Sequence, residues 1–196
     1  MNASQGEFAV KLARKALEAW TAKGEMVKRP DKISREFLDK SGVFTTLHTY
    51  PERELRGCIG FPTPVMPLVD AIIESAVSAA QDPRFPDLEK EELKKIIVEV
   101  SILTKPQKIN AKKPEDYAKK IIIGRDGLII RKGFHSGLLL PQVATEYGWD
   151  ARTFLEHLCM KASLPSDAWL SPATEIFSFH SEIFSEKKPN GKIEKT

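Results

Sequence analysis

Apolar residues recur along this chain either with the spacing of a helix or with that of a strand, and these two patterns predict its main elements. Apolar residues four apart, from Phe8 to Trp20, form one stripe and predict an N-terminal helix. Ser4 and Glu7 have the spacing of a capping box at its start. Another apolar face predicts a second helix over residues 68–81. Stretches rich in β-branched and alternating apolar residues predict strands at residues 43–49, 55–61 and 96–103.

The second half of the chain predicts a hairpin, a further helix and a last strand. Residues 121–123 and 128–130 flank an Asp-Gly pair, which is a strong signal for a tight turn between strands. Ala151–Lys161 is predicted to be helical, with Asp150 as its N-cap, and residues 175–184 form one strand. Because helices and strands do not alternate as βαβ units, the pattern favours an α+β fold with mainly antiparallel sheets.

The composition is that of an ordinary globular protein. With 41% hydrophobic and 29% charged residues, the chain resembles soluble proteins, and no apolar stretch approaches the ~20 residues of a membrane span. The N-terminus lacks the features of a signal peptide, so we expect a cytoplasmic location and no membrane partner. Lys and Glu abound while Gln and Asn are scarce, a bias typical of thermophiles.

The net charge of +3 lies largely in the tail, residues 186–196, which is expected to be disordered. The rest of the chain is therefore close to neutral. Nucleic-acid binding is disfavoured, because it normally needs a clustered excess of basic residues. The lysines between residues 105 and 120 are diluted by acidic neighbours, which is typical of a solvated loop.

Residues 55–60, Leu-Arg-Gly-Cys-Ile-Gly, carry the most informative chemistry of the chain. An arginine inside an apolar strand needs a partner, because an unpaired buried guanidinium is costly. Arg56 is therefore a candidate anchor for an anionic ligand. The alternative is a structural ion pair with Glu99 or Asp82, which the planar guanidinium suits equally well.

Cys58 is the candidate nucleophile of this segment, and His48 on the preceding strand is the candidate base. The alternative is that Cys58 is a small buried hydrophobic residue, as most free cysteines are. Two glycines inside a strand indicate a bulge or a close backbone approach, and Gly57 and Gly60 are candidate ligand contacts. The alternative of a disulfide with Cys159 is disfavoured, because two distant cytoplasmic thiols are expected to stay reduced.

Further candidates lie outside the hexapeptide. Residues 82–85, Asp-Pro-Arg-Phe, form either a secondary binding segment or a turn ordered by its own Asp and Arg. Arg84 and Glu99 are candidate ligand-binding residues, or partners of each other in an ion pair. No His or Cys pair has metal-ligand spacing, so no metal site is predicted. No glycine-rich phosphate loop is present either, and the nature of any cofactor stays open.

Several segments together resemble the AMMECR family, named for Alport syndrome, mental retardation, midface hypoplasia and elliptocytosis chromosomal region. The resemblance covers nearly the whole chain, about residues 8–186. The matching motifs, in the family's order, are GVFTTL at 42–47, LRGCIG at 55–60, DPRF at 82–85, EVS at 99–101, LPQV at 140–143 and GWD at 148–150.

The resemblance implies a two-lobed α+β protein, with residues 1–110 and 171–196 in a larger lobe and residues 111–170 inserted as a smaller one. It brings no established activity, but implies an association with Memo-like and radical S-adenosylmethionine proteins. We therefore expect a small-ligand or enzyme-like site in the groove between the lobes. The alternatives are a protein-interaction adaptor, in which the hexapeptide is architectural, and a nucleic-acid-associated housekeeping factor.

Overall fold

The computed structural model describes residues 1–196, and they divide into two compact units. One unit is formed by Met1–Leu103 with Glu182–Thr196, and the other by Thr104–Ser181. These boundaries differ from the expected ones, which follow residues 110 and 170. The reason is a strand pairing, because Gln107 and Lys108 form a ladder with Ser178 and Phe177 inside the second unit.

The elements alternate irregularly between helix and strand, and the sheets are antiparallel, which confirms the α+β class. Short 3₁₀ helices occupy Arg35–Phe37, Lys90–Lys95, Pro114–Asp116 and Ala168–Leu170. The helices are α1 (Ala3–Lys23), α2 (Leu68–Ala80), α3 (Tyr117–Lys120), α4 (Pro141–Glu146) and α5 (Ala151–Lys161). The strands are β1 (Val43–Thr49), β2 (Leu55–Phe61), β3 (Ile96–Leu103), β4 (Gln107–Lys108), β5 (Gly127–Lys132), β6 (His135–Leu139), β7 (Glu175–Phe179), β8 (Ser181–Glu186) and β9 (Ile193–Lys195).

Helix α1 confirms the predicted apolar stripe, but its capping box lies two residues earlier than expected. The Asn2 side chain accepts a hydrogen bond from the Gln5 backbone N–H, and the Gln5 side chain accepts one from Asn2 N–H, both at 2.9 Å. These bonds satisfy N–H groups that the first helical turn leaves without partners. Ser4 and Glu7 therefore lie inside the helix.

The first unit has a five-stranded sheet in the order β2-β1-β3-β8-β9. One face, called the inner face here, packs against α1 and α2 and carries buried side chains such as Leu47 and Val100. The Thr45 and Ser75 hydroxyls, 2.7 Å apart, join this face to α2. The opposite, outer face carries alternate residues of the same strands, including Thr46 and His48, which are only half-buried.

The second unit has a four-stranded sheet in the order β4-β7-β5-β6, with its own core against α5. The predicted hairpin over residues 121–130 is wrong, because β5 pairs with β6 through a turn at Gly133 and Phe134. Asp126 is 1% exposed rather than at a turn tip, and its carboxylate accepts a hydrogen bond from Ile122 N–H at 2.8 Å. The Asp126-Gly127 pair therefore does not form a hairpin turn, and its aspartate is a buried hydrogen-bond acceptor instead.

The predicted last strand is also two strands, which separate at His180. β7 belongs to the sheet of the second unit and β8 to that of the first. The tail is not disordered, because β9 pairs with β8, with Glu186 opposite Ile193. Glu186 is 3% exposed and binds Arg14 of α1, whose Nε donates to its Oε1 at 2.9 Å.

Candidate functional site

All the candidate site residues of the sequence lie in the first unit, and the side chains of three, His48, Cys58 and Glu99, share the outer face of its sheet. Thr46 of β1 lies opposite Cys58 of β2 and opposite Glu99 of β3. The Thr46 hydroxyl donates a hydrogen bond to Cys58 Sγ at 3.2 Å. His48 is the next outward residue of β1, and its Nε2 lies 3.8 Å from Glu99 Oε1. We call Cys58, Thr46, His48 and Glu99 the Cys58 cluster.

The Cys58 cluster is partly shielded from solvent. The side chains of His48 and Glu99 are 21% and 17% exposed, and Cys58 is half-buried. His48 Nδ1 is buried and has no hydrogen-bond partner within the chain. Buried polar atoms are nearly always paired, so an unpaired imidazole nitrogen on the sheet face that carries the thiol points to a functional constraint. Cys159, by contrast, is fully buried in the second unit, where burial raises the pKa of its thiol.

The backbone of Cys58 is fixed by two side chains of the Asp-Pro-Arg-Phe segment. Its N–H donates to Asp82 Oδ2 at 2.9 Å, and its carbonyl accepts from Arg84 Nη2 at 3.2 Å. β2 lies at the edge of the sheet. The backbone N–H and C=O groups on its side away from β1 therefore need partners from outside the sheet. Asp82 is 1% exposed, and the Arg84 guanidinium beside it holds the pKa of that carboxyl well below its usual range.

The two arginines have other partners than the sequence suggests. Arg56 binds Glu92 through both carboxylate oxygens, with Nε and Nη2 at 2.9 and 3.0 Å, so the expected pairing with Glu99 or Asp82 is wrong. A register shift in β2 places Leu55 opposite His48, so Arg56 has no counterpart on β1. Arg84 binds Asp82 rather than Glu99. Glu92 was not a candidate, because nothing distinguishes it from the other acidic residues around it.

The two glycines of the hexapeptide are explained by close packing of backbones. A Cβ at Gly57 would lie 2.3 Å from the Ala79 carbonyl oxygen of α2, on the inner face. A Cβ at Gly60 would lie 2.2 Å from the Val43 carbonyl oxygen of β1. Neither position admits a side chain without moving a main chain. Their role as ligand contacts stays a prediction, as does the location of the site in a groove between lobes.

The described residues also bear on metal binding and on membrane insertion. No group of three or more His, Cys, Asp or Glu side chains is arranged to hold a metal ion. None of the helices combines the length and the apolar character that crossing a bilayer requires. The Cys58 cluster itself offers a thiol, a hydroxyl, an imidazole and a carboxylate.

Comparison with known proteins identifies the protein family. The AMMECR1 family model matches residues 10–184, so the chain belongs to the AMMECR1 family. The match includes the hexapeptide, both arginines, His48 and Glu99. The family resemblance noted from the motifs is therefore confirmed.

Individual relatives come from archaeal thermophiles. Protein MJ0810 of Methanocaldococcus jannaschii is 52% identical over 190 residues, which cover 96% of this chain and 94% of the relative. Protein PH0010 of Pyrococcus horikoshii is 50% identical over 194 residues, which cover 97% and 94%. The crystal structure of the uncharacterised protein PH0010 superposes with a TM-score of 0.81 at 48% identity, covering 100% of this chain and 98% of that one.

Proposed function

We propose that this AMMECR1-family protein binds a small ligand on the outer face of the first unit's sheet, with the Cys58 thiol in contact with it. The observation that carries the proposal is the half-buried thiol on the same sheet face as His48, whose Nδ1 has no hydrogen-bond partner. A ligand that donates a hydrogen bond to this nitrogen would satisfy it. In an enzyme-like reaction His48, near the Glu99 carboxylate, would accept the proton of the thiol or of the ligand.

The rigidity of the thiol supports this proposal. Both backbone polar groups of Cys58 are bound by side chains, and Thr46 binds its sulfur. Reactive groups work best when their supporting contacts hold them in one geometry. The cytoplasmic location expected from the sequence suits such a site, because a reducing compartment keeps both cysteines free, as they are in this structure.

The charge of the cluster narrows the choice of ligand. Arg56 and Arg84 are each bound to a carboxylate, and Glu99 contributes a negative charge on the same face of the sheet, across β1 from Cys58. The cluster therefore favours a neutral or cationic ligand that carries N–H or O–H donors. The small anionic ligand expected from the sequence stays a prediction, and it would have to compete with Glu92 for Arg56.

Alkylation tests the proposal, and Cys159 provides an internal control. Native protein is treated with iodoacetamide across pH 6–9, and the modification of each cysteine is followed by peptide mass spectrometry. We expect Cys58 to react faster than a model thiol near pH 7, with the His48→Gln variant slower and Cys159 unmodified. If Cys58 reacts no faster than the model thiol, or Cys159 reacts at the same rate, the proposed site is wrong.

An adaptor function is the second candidate, and the internal partners of the hexapeptide favour it. Gly57, Arg56 and the backbone of Cys58 all have structural roles, as an architectural motif requires. A Memo-like protein is the partner implied by the family resemblance. Binding to a purified Memo-like protein, measured by calorimetry and unchanged in Cys58→Ala, would favour the adaptor over the ligand site.

A further inference from the structure

His180 and Asp126 form a hydrogen-bonded pair in the second unit, far from the Cys58 cluster in sequence. His180 Nε2 lies 2.9 Å from Asp126 Oδ1. The Asp126 carboxylate also accepts a hydrogen bond from Ile122 N–H. The Arg125 guanidinium donates two more to it, from Nε at 2.7 Å and from Nη2 at 3.0 Å. The imidazole is 48% exposed, whereas the Asp126 side chain is 2% exposed. A buried carboxylate therefore holds a half-exposed imidazole in one orientation.

The pair is fixed by the backbone as well. His180 follows β7 directly, and its N–H donates to the Thr104 hydroxyl at 2.9 Å, while Thr104 N–H donates to the His180 carbonyl at 2.9 Å. The Thr104 hydroxyl thus accepts one bond and keeps its own proton to donate. Two elements that are distant in sequence are joined at this point, so His180 and Thr104 have a defined relative position.

A cavity of about 250 Å³ opens beside this pair. Its lining contains hydroxyl, amide, ammonium and imidazole groups and no carboxylate; the lining residues are Thr104, Lys105, Gln107, Ser178, Phe179 and His180. Every polar side chain of this set can donate a hydrogen bond. The Asp126 carboxylate can only accept, so its bond to His180 uses the Nε2–H, and Nδ1 can donate to a ligand only when the ring carries both protons.

We propose that this cavity binds a small oxyanion, such as a sulfate- or phosphate-sized group, with His180 as its cationic contact and Thr104 and Ser178 as hydroxyl donors. Charge-assisted hydrogen bonds from an imidazolium are the strong contacts available here. Asp126 and Arg125 orient the imidazole from the neighbouring turn. This inference is independent of the Cys58 cluster, which lies in the other unit.

Sulfate is the probe of choice, because its charge does not change between pH 6 and 8. The full-length protein is titrated with sodium sulfate at constant ionic strength, and backbone amide signals of the cavity residues are followed by NMR. We expect saturable shifts at pH 6 and weaker binding at pH 8, because only a doubly protonated imidazole can donate to Asp126 and to an oxyanion at the same time. A parallel titration with acetate distinguishes a carboxylate ligand from a tetrahedral oxyanion.

Two variants separate a binding role from a structural one. His180→Gln is expected to abolish the saturable shifts, and Thr104→Val to weaken binding severalfold. His135→Gln is the matched control, because His135 lies in the same unit and contacts the Ala162 carbonyl rather than the cavity. The proposal is overturned if wild type shows no saturable shifts at either pH. It is also overturned if His180→Gln, folded by its amide spectrum, binds sulfate like His135→Gln.

Discussion

Successive residues of β2 belong in turn to the packed core and to the candidate site. Gly57 faces α2, where its missing side chain lets the helix end approach the strand. Cys58, the next residue, presents its thiol to the outer face, where Thr46 binds it. This division follows from strand geometry, since successive side chains point to opposite faces of a sheet. The hexapeptide is thus both part of the core and part of the candidate site.

Gly57→Ala is predicted to destabilise the protein. The added methyl group would overlap a backbone oxygen, which cannot turn aside as a side chain can, so we expect a loss of about 1–3 kcal/mol in the free energy of unfolding. Cys58→Ala on the opposite face is the control, with a smaller loss. Denaturant unfolding of both variants measures the difference. Equal stability of Gly57→Ala and wild type would contradict the packing explanation.

Asp82→Asn is predicted to lower stability in a pH-dependent way. The buried carboxylate binds Arg84 and the Cys58 N–H, so its loss is expected to reduce the free energy of unfolding by roughly 1–3 kcal/mol at pH 7. Arg84 holds the pKa of the folded-state carboxyl below its usual range. The advantage of wild type is therefore fully present above about pH 4 and is lost as the pH falls towards the folded-state pKa.

Unfolding of wild type and Asp82→Asn between pH 2 and 7 measures this dependence. The two curves of stability against pH should converge on the acid side. A constant gap down to pH 2 would show that Asp82 does not act through its charge. The Glu7→Gln variant is a control, because Glu7 is exposed and its pair with Lys11 is at the surface.

The sequence identified Arg56, Cys58 and His48 as unusual because a cation, a thiol and an imidazole stand out against apolar strands. It missed Thr46, since a threonine is ordinary in a strand and its contact depends on the register between β1 and β2. It missed Glu92 for a similar reason. The partner of a buried arginine is chosen by three-dimensional proximity, which the spacing of acidic residues along a chain does not reveal.

Among the elements, the Lys90–Lys95 helix is joined to β2 by one ion pair. Arg56 is 12% exposed and binds Glu92 through two parallel hydrogen bonds. The Glu92 side chain also accepts a bond from Glu89 N–H at 2.9 Å, which caps the start of this 3₁₀ helix. One carboxylate therefore both caps an element and holds it against the strand that carries Cys58.

A double-mutant cycle of Arg56→Ala and Glu92→Ala is predicted to show a coupling of about 1 kcal/mol in the free energy of unfolding. If Arg56 serves mainly as a ligand anchor, removing Glu92 would leave stability nearly unchanged and the coupling near zero. Arg56→Lys is a useful companion, because lysine keeps the charge but not the bidentate geometry. Its stability should lie between those of wild type and Arg56→Ala.

The predicted elements are correct where the alternation of apolar and polar residues continues over a whole strand, and they fail where distant partners decide the structure. β1 and β3 match the prediction, as their alternation continues over a whole strand with one face buried. The hairpin over residues 121–130 fails because Asp126 and Gly127 carry a turn-like dipeptide whose carboxylate is buried by distant partners. The strand over residues 175–184 fails at His180, since its apolar pattern does not show that two different sheets receive it.

On the scale of the whole molecule, the chain leaves the first unit after Leu103 and returns at Glu182. The returning segment is essential to that unit, because β8 pairs beside β3 and its Glu186 reaches the buried Arg14 of α1. Arg14 also donates to the Leu93 carbonyl at 3.1 Å. The second unit, by contrast, is continuous in sequence and has its own apolar core, which includes Leu128, Phe154 and Ile176.

Deletion of residues 182–196 is therefore predicted to unfold the first unit and to leave the second one folded. The deletion removes two of the five strands and leaves the Arg14 guanidinium buried without its carboxylate, a loss that commonly costs about 3–5 kcal/mol. Amide NMR spectra should lose dispersion for residues 1–103 and keep it for Thr104–Ser181. The shorter deletion of residues 191–196 is the control, since it removes β9 but keeps Glu186 and β8. A first unit that stays folded without residues 182–196 would show that its core is complete before the chain returns, and that the ion pair of Arg14 with Glu186 adds little to it.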